Sequence, residues 1–237
     1  MKESKRFLAL ATAFSMVAAM APQSLVVSAA ETEYKIYPTP HSIEYEDNAF
    51  YVEDAVSVTL EDGIDEVTEN KLFDVLSDFG VTEESESKVK ILVGVYGSGE
   101  SVDTYAEENI TFDAATFDHY DAYVLDVDAE NFTITILGKD TDAAFYGVVS
   151  LMHIFNQSAE LRIRDLTMED YADTSIRGFI EGYYGIPWSN EDRMSLMKFG
   201  GQFKMTSYVF APKDDPYHTS KWRQLYPKEE INAIAEM

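Results

Sequence analysis

A chain of 237 residues that is 46% apolar and 13% aromatic can bury a sizeable core, and its lack of cysteine excludes disulfides, thiol catalysis and cysteine-ligated metal. The formal charge of −25 repels nucleic acid and anionic membrane, since neither finds the cationic surface that phosphate binding requires. It does not oppose a neutral sugar, and its plainest effect is solubility.

The first thirty residues read as a secretory signal peptide. Lys2, Lys5 and Arg6 form a basic start, Phe7 to Ala21 is almost wholly apolar, and Val27-Ser28-Ala29 or Ser28-Ala29-Ala30 offers small residues for cleavage. The apolar core is too short for a stable membrane span, an N-terminal anchor helix being the alternative. Cleavage near residues 29–30 implies a secreted, extracellular protein of about 207 residues. Three basic residues and one acidic residue leave with the signal, so 15 basic residues face 42 acidic ones, a net −27.

Residues 31–173 have the grammar of a small α/β domain. Ala55–Leu60 alternates as a strand does. Asp65–Phe79 carries Val67, Leu72, Val75, Leu76 and Phe79 at helical spacing and is stopped by Gly80. Val89–Val95 reads as a buried strand, and Ala122–Val127 with Asn131–Leu137 as a hairpin around Asp128-Ala-Glu130. Thr141–Phe155 is a helix opened by a polar cap, with Ala144, Phe145, Val148, Leu151, Met152 and Phe155 on one face. Glu83–Ser87 is a charged loop and Gly97–Ser101 a flexible one. Gly94-Val-Tyr-Gly-Ser-Gly99 invites a nucleotide-loop reading, but it lacks the lysine and hydroxyl pair of a phosphate loop. No helix clearly follows it, so it reads as a glycine-rich turn.

From residue 174 the grammar changes. Ser175–Gly182 and Thr206–Ala211 read as strands. A helix capped by Ser189 or Asn190 runs from Glu191 to about Phe203, with Glu191 and Asp192 in its first turn, and another starts near Pro227. Strand, helix, strand, helix with short links means parallel βα units, and in barrels of that type the chemistry sits on loops at the strand C-termini. Two unusual clusters fall there. In the first, Gly182 would let a ligand approach the backbone closely, unless it is a bend required by packing. In the second, Lys213 offers three donors to hydroxyl acceptors, unless it is a surface ion pair with Asp214 or Asp215. Tyr183, Tyr184 and Trp188 could wall a sugar or simply anchor a loop, and Tyr184 is placed nearest the pocket. His153 and His218 have no ligand spacing, and no metal or organic cofactor is expected.

The words RGFIEGYYGIPW, APKDDPYH and KWRQLYP, in that order over Arg177 to Pro227, resemble the opening of the catalytic barrel of glycoside hydrolase family 84, the β-N-acetylglucosaminidases that include O-GlcNAc hydrolases and enzymes catalogued as hyaluronidases. The preceding region, with Ile36-Tyr-Pro-Thr-Pro40 near its start, resembles the small α/β domain, akin to that of family 20, that precedes the barrel in bacterial members. The resemblance implies an α/β fold in which residues 31–173 precede the first two βα units, at 174–237, of a truncated (βα)8 barrel. It also implies that Gly182 presents backbone atoms to the sugar, and that Lys213 hydrogen-bonds a ring hydroxyl.

The chemistry so implied is retaining hydrolysis of terminal β-linked N-acetylglucosamine, in which the substrate's acetamido oxygen attacks the anomeric carbon to give an oxazoline. An adjacent aspartate pair orients that group and moves the proton. By resemblance the pair lies beyond Met237, so no catalytic residue is assigned in this chain and the fragment is expected to be inactive. One of Asp214 and Asp215 is expected to pair with Lys213 or cap the following turn, and Glu181 to make a buried polar contact. Partners are N-acetylglucosamine-containing glycans or glycoproteins, with no nucleic acid and, after signal cleavage, no membrane. The alternative is a non-catalytic carbohydrate-binding or docking module.

Overall fold

The computed structural model describes residues 33–182, 187–210, 213 and 215–237. The chain divides into two compact units, Met1–Glu33 and Tyr34–Met237, and apart from Glu33 the description concerns the second. The expected signal peptide lies outside the described residues. Among the described residues, no helix is long and apolar enough to cross a membrane.

The chain is mixed α/β. Seven strands form one sheet in the order β1-β7-β5-β6-β4-β2-β3. They are β1 (Ser42–Tyr51), β2 (Ala55–Leu60), β3 (Thr82–Glu83), β4 (Lys90–Val95), β5 (Tyr120–Asp128), β6 (Thr133–Gly138) and β7 (Arg162–Ala172). The β3, β2, β4 and β6 strands run parallel, while β6, β5, β7 and β1 pair antiparallel. Helices α1 (Glu66–Asp78), α2 (Ser101–Asn109) and α3 (Thr141–Gln157) provide the cover. Asp65 caps α1 by accepting from the Thr68 amide (2.9 Å), and Asp140 caps α3 by accepting from that of Ala143 (2.9 Å).

Leu72, Val75 and Leu76 of α1 join Val148, Leu151, Ile154 and Phe155 of α3 in one core with Val56, Ile91, Val93, Ile134 and Ile136. A second, smaller cluster sets Ala106 of α2 with Ile110, Phe117, Val124 and Leu137. Ile136 belongs to one cluster and its neighbour Leu137 to the other. That explains why every residue of β6 is buried, as a central strand covered on both faces should be.

Besides the two-residue strand β3, three elements of this domain escape the sequence pattern. In β7, Ile163, Leu166, Met168 and Asp170 are the buried positions, and charged residues stand between them. In β1 the register shifts between Tyr45 and Ala49, which breaks the two-residue period on which strand recognition depends. The third is α2, a nine-residue helix that follows the glycine-rich turn after all. Its stabilising group arrives from far upstream. Glu61, at the end of β2, accepts from the amides of Val102 (2.7 Å) and Asp103 (2.9 Å) with one oxygen, and from the Val95 amide (2.9 Å) and Ser98 Oγ (3.0 Å) with the other. An internal carboxylate thus occupies the place where a phosphate loop holds its anion. A Cβ on Gly94 would stand 2.7 Å from the Glu61 carboxyl, so this close approach is what requires glycine there.

After β7, strands β8 (Gly178–Ile180) and β9 (Ser207–Val209) pair in parallel as a separate two-stranded sheet, with α4 (Asn190–Gly201) between them and α5 (Lys228–Glu236) after. Ser189 and Asp192 form a capping box for α4, each side chain accepting from the other's backbone amide. Both strands are shorter than the pattern predicts, because each ladder extends only as far as its one described neighbour. Gly178 is fixed by the closeness of that pairing, since a Cβ on it would lie 1.7 Å from the Ser207 carbonyl oxygen.

Candidate functional site at the ends of two parallel strands

The C-terminal ends of β8 and β9 lead into the two clusters singled out from the sequence. The Glu181 amide donates to the Val209 carbonyl (2.9 Å), which extends the pairing by one residue. The Glu181 side chain turns inward and is only 2% exposed. Arg193 of α4, also buried, grips it with both ends of its fork: Nε donates to Oε2 (2.8 Å) and Nη2 to Oε1 (2.7 Å). Tyr208 of β9 donates to the same Oε2 (2.7 Å), and Arg193 Nη1 donates to Asn190 Oδ1 (2.6 Å). The guanidinium also lies 4.7 Å from the centre of the Phe210 ring.

Glu181 is therefore the centre of a closed polar unit tying both strands to the helix between them. The bidentate pairing with Arg193 and the bond from Tyr208 commit this carboxylate to holding the two strands and the helix together. Burial, reinforced by the bond to Glu181, pushes the Tyr208 hydroxyl up to about 12, so Tyr208 remains a donor at any physiological pH.

Gly182 follows directly and is exposed. Its φ is not left-handed, and a Cβ there would meet none of the described residues within 4 Å. Neither backbone conformation nor described packing accounts for the glycine. Lys213 is an exposed turn residue beyond the end of β9. Tyr184, the third sugar-contact candidate, lies outside the described residues, as do Tyr183 and Asp214.

Asp215 is committed to local structure. It caps a short helical turn by accepting from the Tyr217 amide (2.7 Å), and it accepts a hydrogen bond from the Tyr226 hydroxyl, which burial and that carboxylate push upward. His218 lies near the Phe210 ring, and His153 accepts weakly from the Tyr37 amide (3.4 Å). Among the described residues, no three histidine, cysteine or acidic side chains come together as metal ligands would. The residues missed from sequence are Arg193 and Tyr208. An arginine twelve positions after a strand glutamate is a faint signal, because only the fold brings the two together.

The described residues thus form a seven-stranded α/β sheet domain leading into a βα unit, with its loop clusters at the strand ends. Residues 33–171 match domain 2 of glycosyl hydrolase family 20, and residues 177–237 match beta-N-acetylglucosaminidase. The chain belongs to the β-N-acetylglucosaminidase glycoside hydrolases of the family 84 type, with an N-terminal domain of the family 20 kind. It is similar to the structure of CpGH84D, with 48% identity and a TM-score of 0.81 over 86% of this chain and 35% of that one. Against CpGH84B the identity is 30% and the TM-score 0.73, over 86% and 34%. Protein O-GlcNAcase of Rattus norvegicus is 42% identical over 57 residues, which are 24% of this chain and 6% of that protein. The chain thus spans about a third of the solved relatives' length and a small part of the curated one.

Proposed function

We propose that this chain is the N-terminal part of a secreted β-N-acetylglucosaminidase that removes terminal β-linked N-acetylglucosamine from glycans or glycoproteins. Its βα segment is the start of a (βα)8 barrel, and Gly182, Lys213 and Tyr184 contribute one side of the sugar pocket. The match of residues 177–237, which carry both loop clusters, to beta-N-acetylglucosaminidase carries this reading.

In the proposed reaction the substrate's acetamido oxygen is the nucleophile. Held in the same molecule as the anomeric carbon, it attacks without the entropic penalty of a second reactant. An adjacent aspartate pair, which this chain does not supply, orients the acetamido group and exchanges the proton with the leaving oxygen. Lys213 and the backbone at Gly182 hold ring hydroxyls, and the Glu181–Arg193–Tyr208 unit keeps both strand ends in place. The commitment of Asp215 to a helical cap supports leaving it out of the catalytic pair.

The test is a chimera in which residues 177–237 replace the corresponding segment of the Rattus norvegicus Protein O-GlcNAcase. A folded chimera should hydrolyse a chromogenic β-N-acetylglucosaminide, whereas a folded but inactive one contradicts the assignment. The 237-residue chain itself should show no turnover. Hydrolysis by it, lost on Asp214→Asn with Asp215→Asn, would reinstate that pair as catalytic.

A further inference from the structure

The ends of β8 and β9 opposite the candidate site are tied to the first sheet by two cations. Arg177 immediately precedes β8. Its Nη2 donates to Asp121 Oδ2 (2.6 Å), Nη1 to the Thr174 carbonyl (2.6 Å) and Nε to the Lys204 carbonyl (2.9 Å). The guanidinium lies 5.6 Å from the centre of the Tyr146 ring. One residue therefore joins β5, the link after β7 and the turn after α4.

Lys204 lies in that turn, shortly before β9, and is 5% exposed. Its ammonium donates to the Tyr123 hydroxyl (2.7 Å) and to Asp170 Oδ2 (2.8 Å). Tyr123 in turn donates to Asp170 (3.0 Å) and bonds Ser150 Oγ (2.6 Å), and the other Asp170 oxygen faces His41 Nδ1 (3.2 Å). Burial pulls the Lys204 ammonium down, opposed by Asp170, and pushes the Tyr123 hydroxyl well up.

The backbone supplies an independent observation. Lys204 has φ +57°, and Asp121, the partner of Arg177, has φ +51°. At the end of a helix this left-handed position ordinarily goes to glycine, which adopts it without strain. A lysine is kept here, and its side chain is the one that reaches into the first domain. Beside it, the Phe203 ring sits 6.3 Å from Tyr37 and 6.2 Å from His153. By contrast, β8 and β9 share only three paired residues each.

We infer that this two-cation clamp, more than the short β8–β9 ladder, sets where β8 and β9 stand, so that the first domain is the foundation on which the βα unit is laid. Arg177 and Lys204 are positioning residues. They fix the N-terminal ends of two strands whose C-terminal ends carry the candidate site. The clamp acts whether or not those strands end in a catalytic pocket.

Hydrogen exchange on the 237-residue chain tests this. Lys204→Met should reduce protection of the β8 and β9 amides by at least about a hundredfold, since it leaves a buried carboxylate without its cation, while β5 and β6 stay as in the wild type. Lys204→Gly relieves the left-handed backbone and should lose protection equally. Wild-type protection of β8 and β9 in Lys204→Met, or its preservation in Lys204→Gly, overturns the clamp. Should Lys204→Met unfold the whole chain, Arg177→Lys and Asp121→Asn decide instead. Loss confined to residues 178–209 supports the clamp, and loss spread evenly or absent contradicts it.

Discussion

The first sheet and the βα unit after it meet the same physical demand in different ways. In the first, helices cover both faces, and β4 and β6 are filled with residues such as Ile91, Val93, Ile134 and Ile136 that are fully buried. In the second, Ile180 at the end of β8 is 73% exposed, Phe199 of α4 52% and Leu225 85%. Parallel strands are normally covered on both faces, so the second region cannot derive its order from apolar burial alone. It depends on buried ion pairs, Glu181 with Arg193 within the unit and Lys204 with Asp170 across to the sheet. The difference teaches that one region is held by its own core, whereas the other is held by specific charges. Changes in the second should therefore be sharp and local. It also supports the proposal that residues 31–173 fold alone while 174–237 do not. Limited proteolysis should then trim the chain to a resistant core ending near residues 165–175, and equal resistance across residues 182–237 would contradict that division.

The largest effect should come from Gly178→Val. Its side chain has no room beside the Ser207 carbonyl, so the β8–β9 ladder must open. Protection in residues 178–209 should vanish while the first sheet keeps its own, and an unperturbed ladder would show that the two strands are not tightly paired.

Arg193→Met should follow, at about 3–5 kcal/mol, because it leaves the buried Glu181 carboxylate without its cation. Denaturant unfolding of the variant alongside Arg193→Met/Glu181→Leu separates this from lost packing. The double variant should recover much of the stability, and no recovery would mean that the pair is not the source of the loss.

Within the first region, Glu61→Ala should cost about 2–3 kcal/mol, as several donors lose their acceptor. The loss should concentrate in α2 and the Gly94–Gly99 turn. Uniform exchange rates across the domain would argue against Glu61 as the organiser of that helix.

The smallest effect concerns Asp126. Burial raises its carboxyl from the ordinary 3.8 to about 6, against the opposing bond from Thr167, with Asp128, Asp165 and Glu46 adding repulsion. The folded chain therefore binds this proton more tightly than the unfolded one, and stability attributable to Asp126 falls as pH rises from about 4 to about 6. Asp126→Asn should stabilise the protein by about 1–2 kcal/mol at pH 7 and have little effect at pH 4. Equal melting temperatures at pH 7 would show that the carboxylate is well solvated.

The contrast between the regions also explains what the sequence made legible. Helices α1 and α3 and strands β2, β4, β5 and β6 were readable because their apolar periods are local and their caps, Asp65 and Asp140, lie adjacent. Strand β7 was hidden because its inward positions include Asp170, a charge whose partners lie on β5, in the turn after α4 and at His41 just before β1. Helix α2 was hidden because its cap, Glu61, is some forty residues upstream. In the candidate site, Gly182 and Lys213 stood out as words in a cluster. Arg193 and Tyr208 did not, since their only claim is the carboxylate they share in space.

The most direct test of the site is Lys213→Ala in an active chimera carrying residues 177–237. A charged hydrogen bond to a ring hydroxyl contributes about 1.5–3 kcal/mol, so kcat/KM for a chromogenic β-N-acetylglucosaminide should fall roughly 10- to 150-fold. Affinity for a competitive sugar inhibitor should weaken with it, at an unchanged melting temperature. Wild-type kinetics and inhibitor affinity in a folded variant would show that Lys213 is no more than a surface ion pair, and that the sugar pocket is not built on the end of β9.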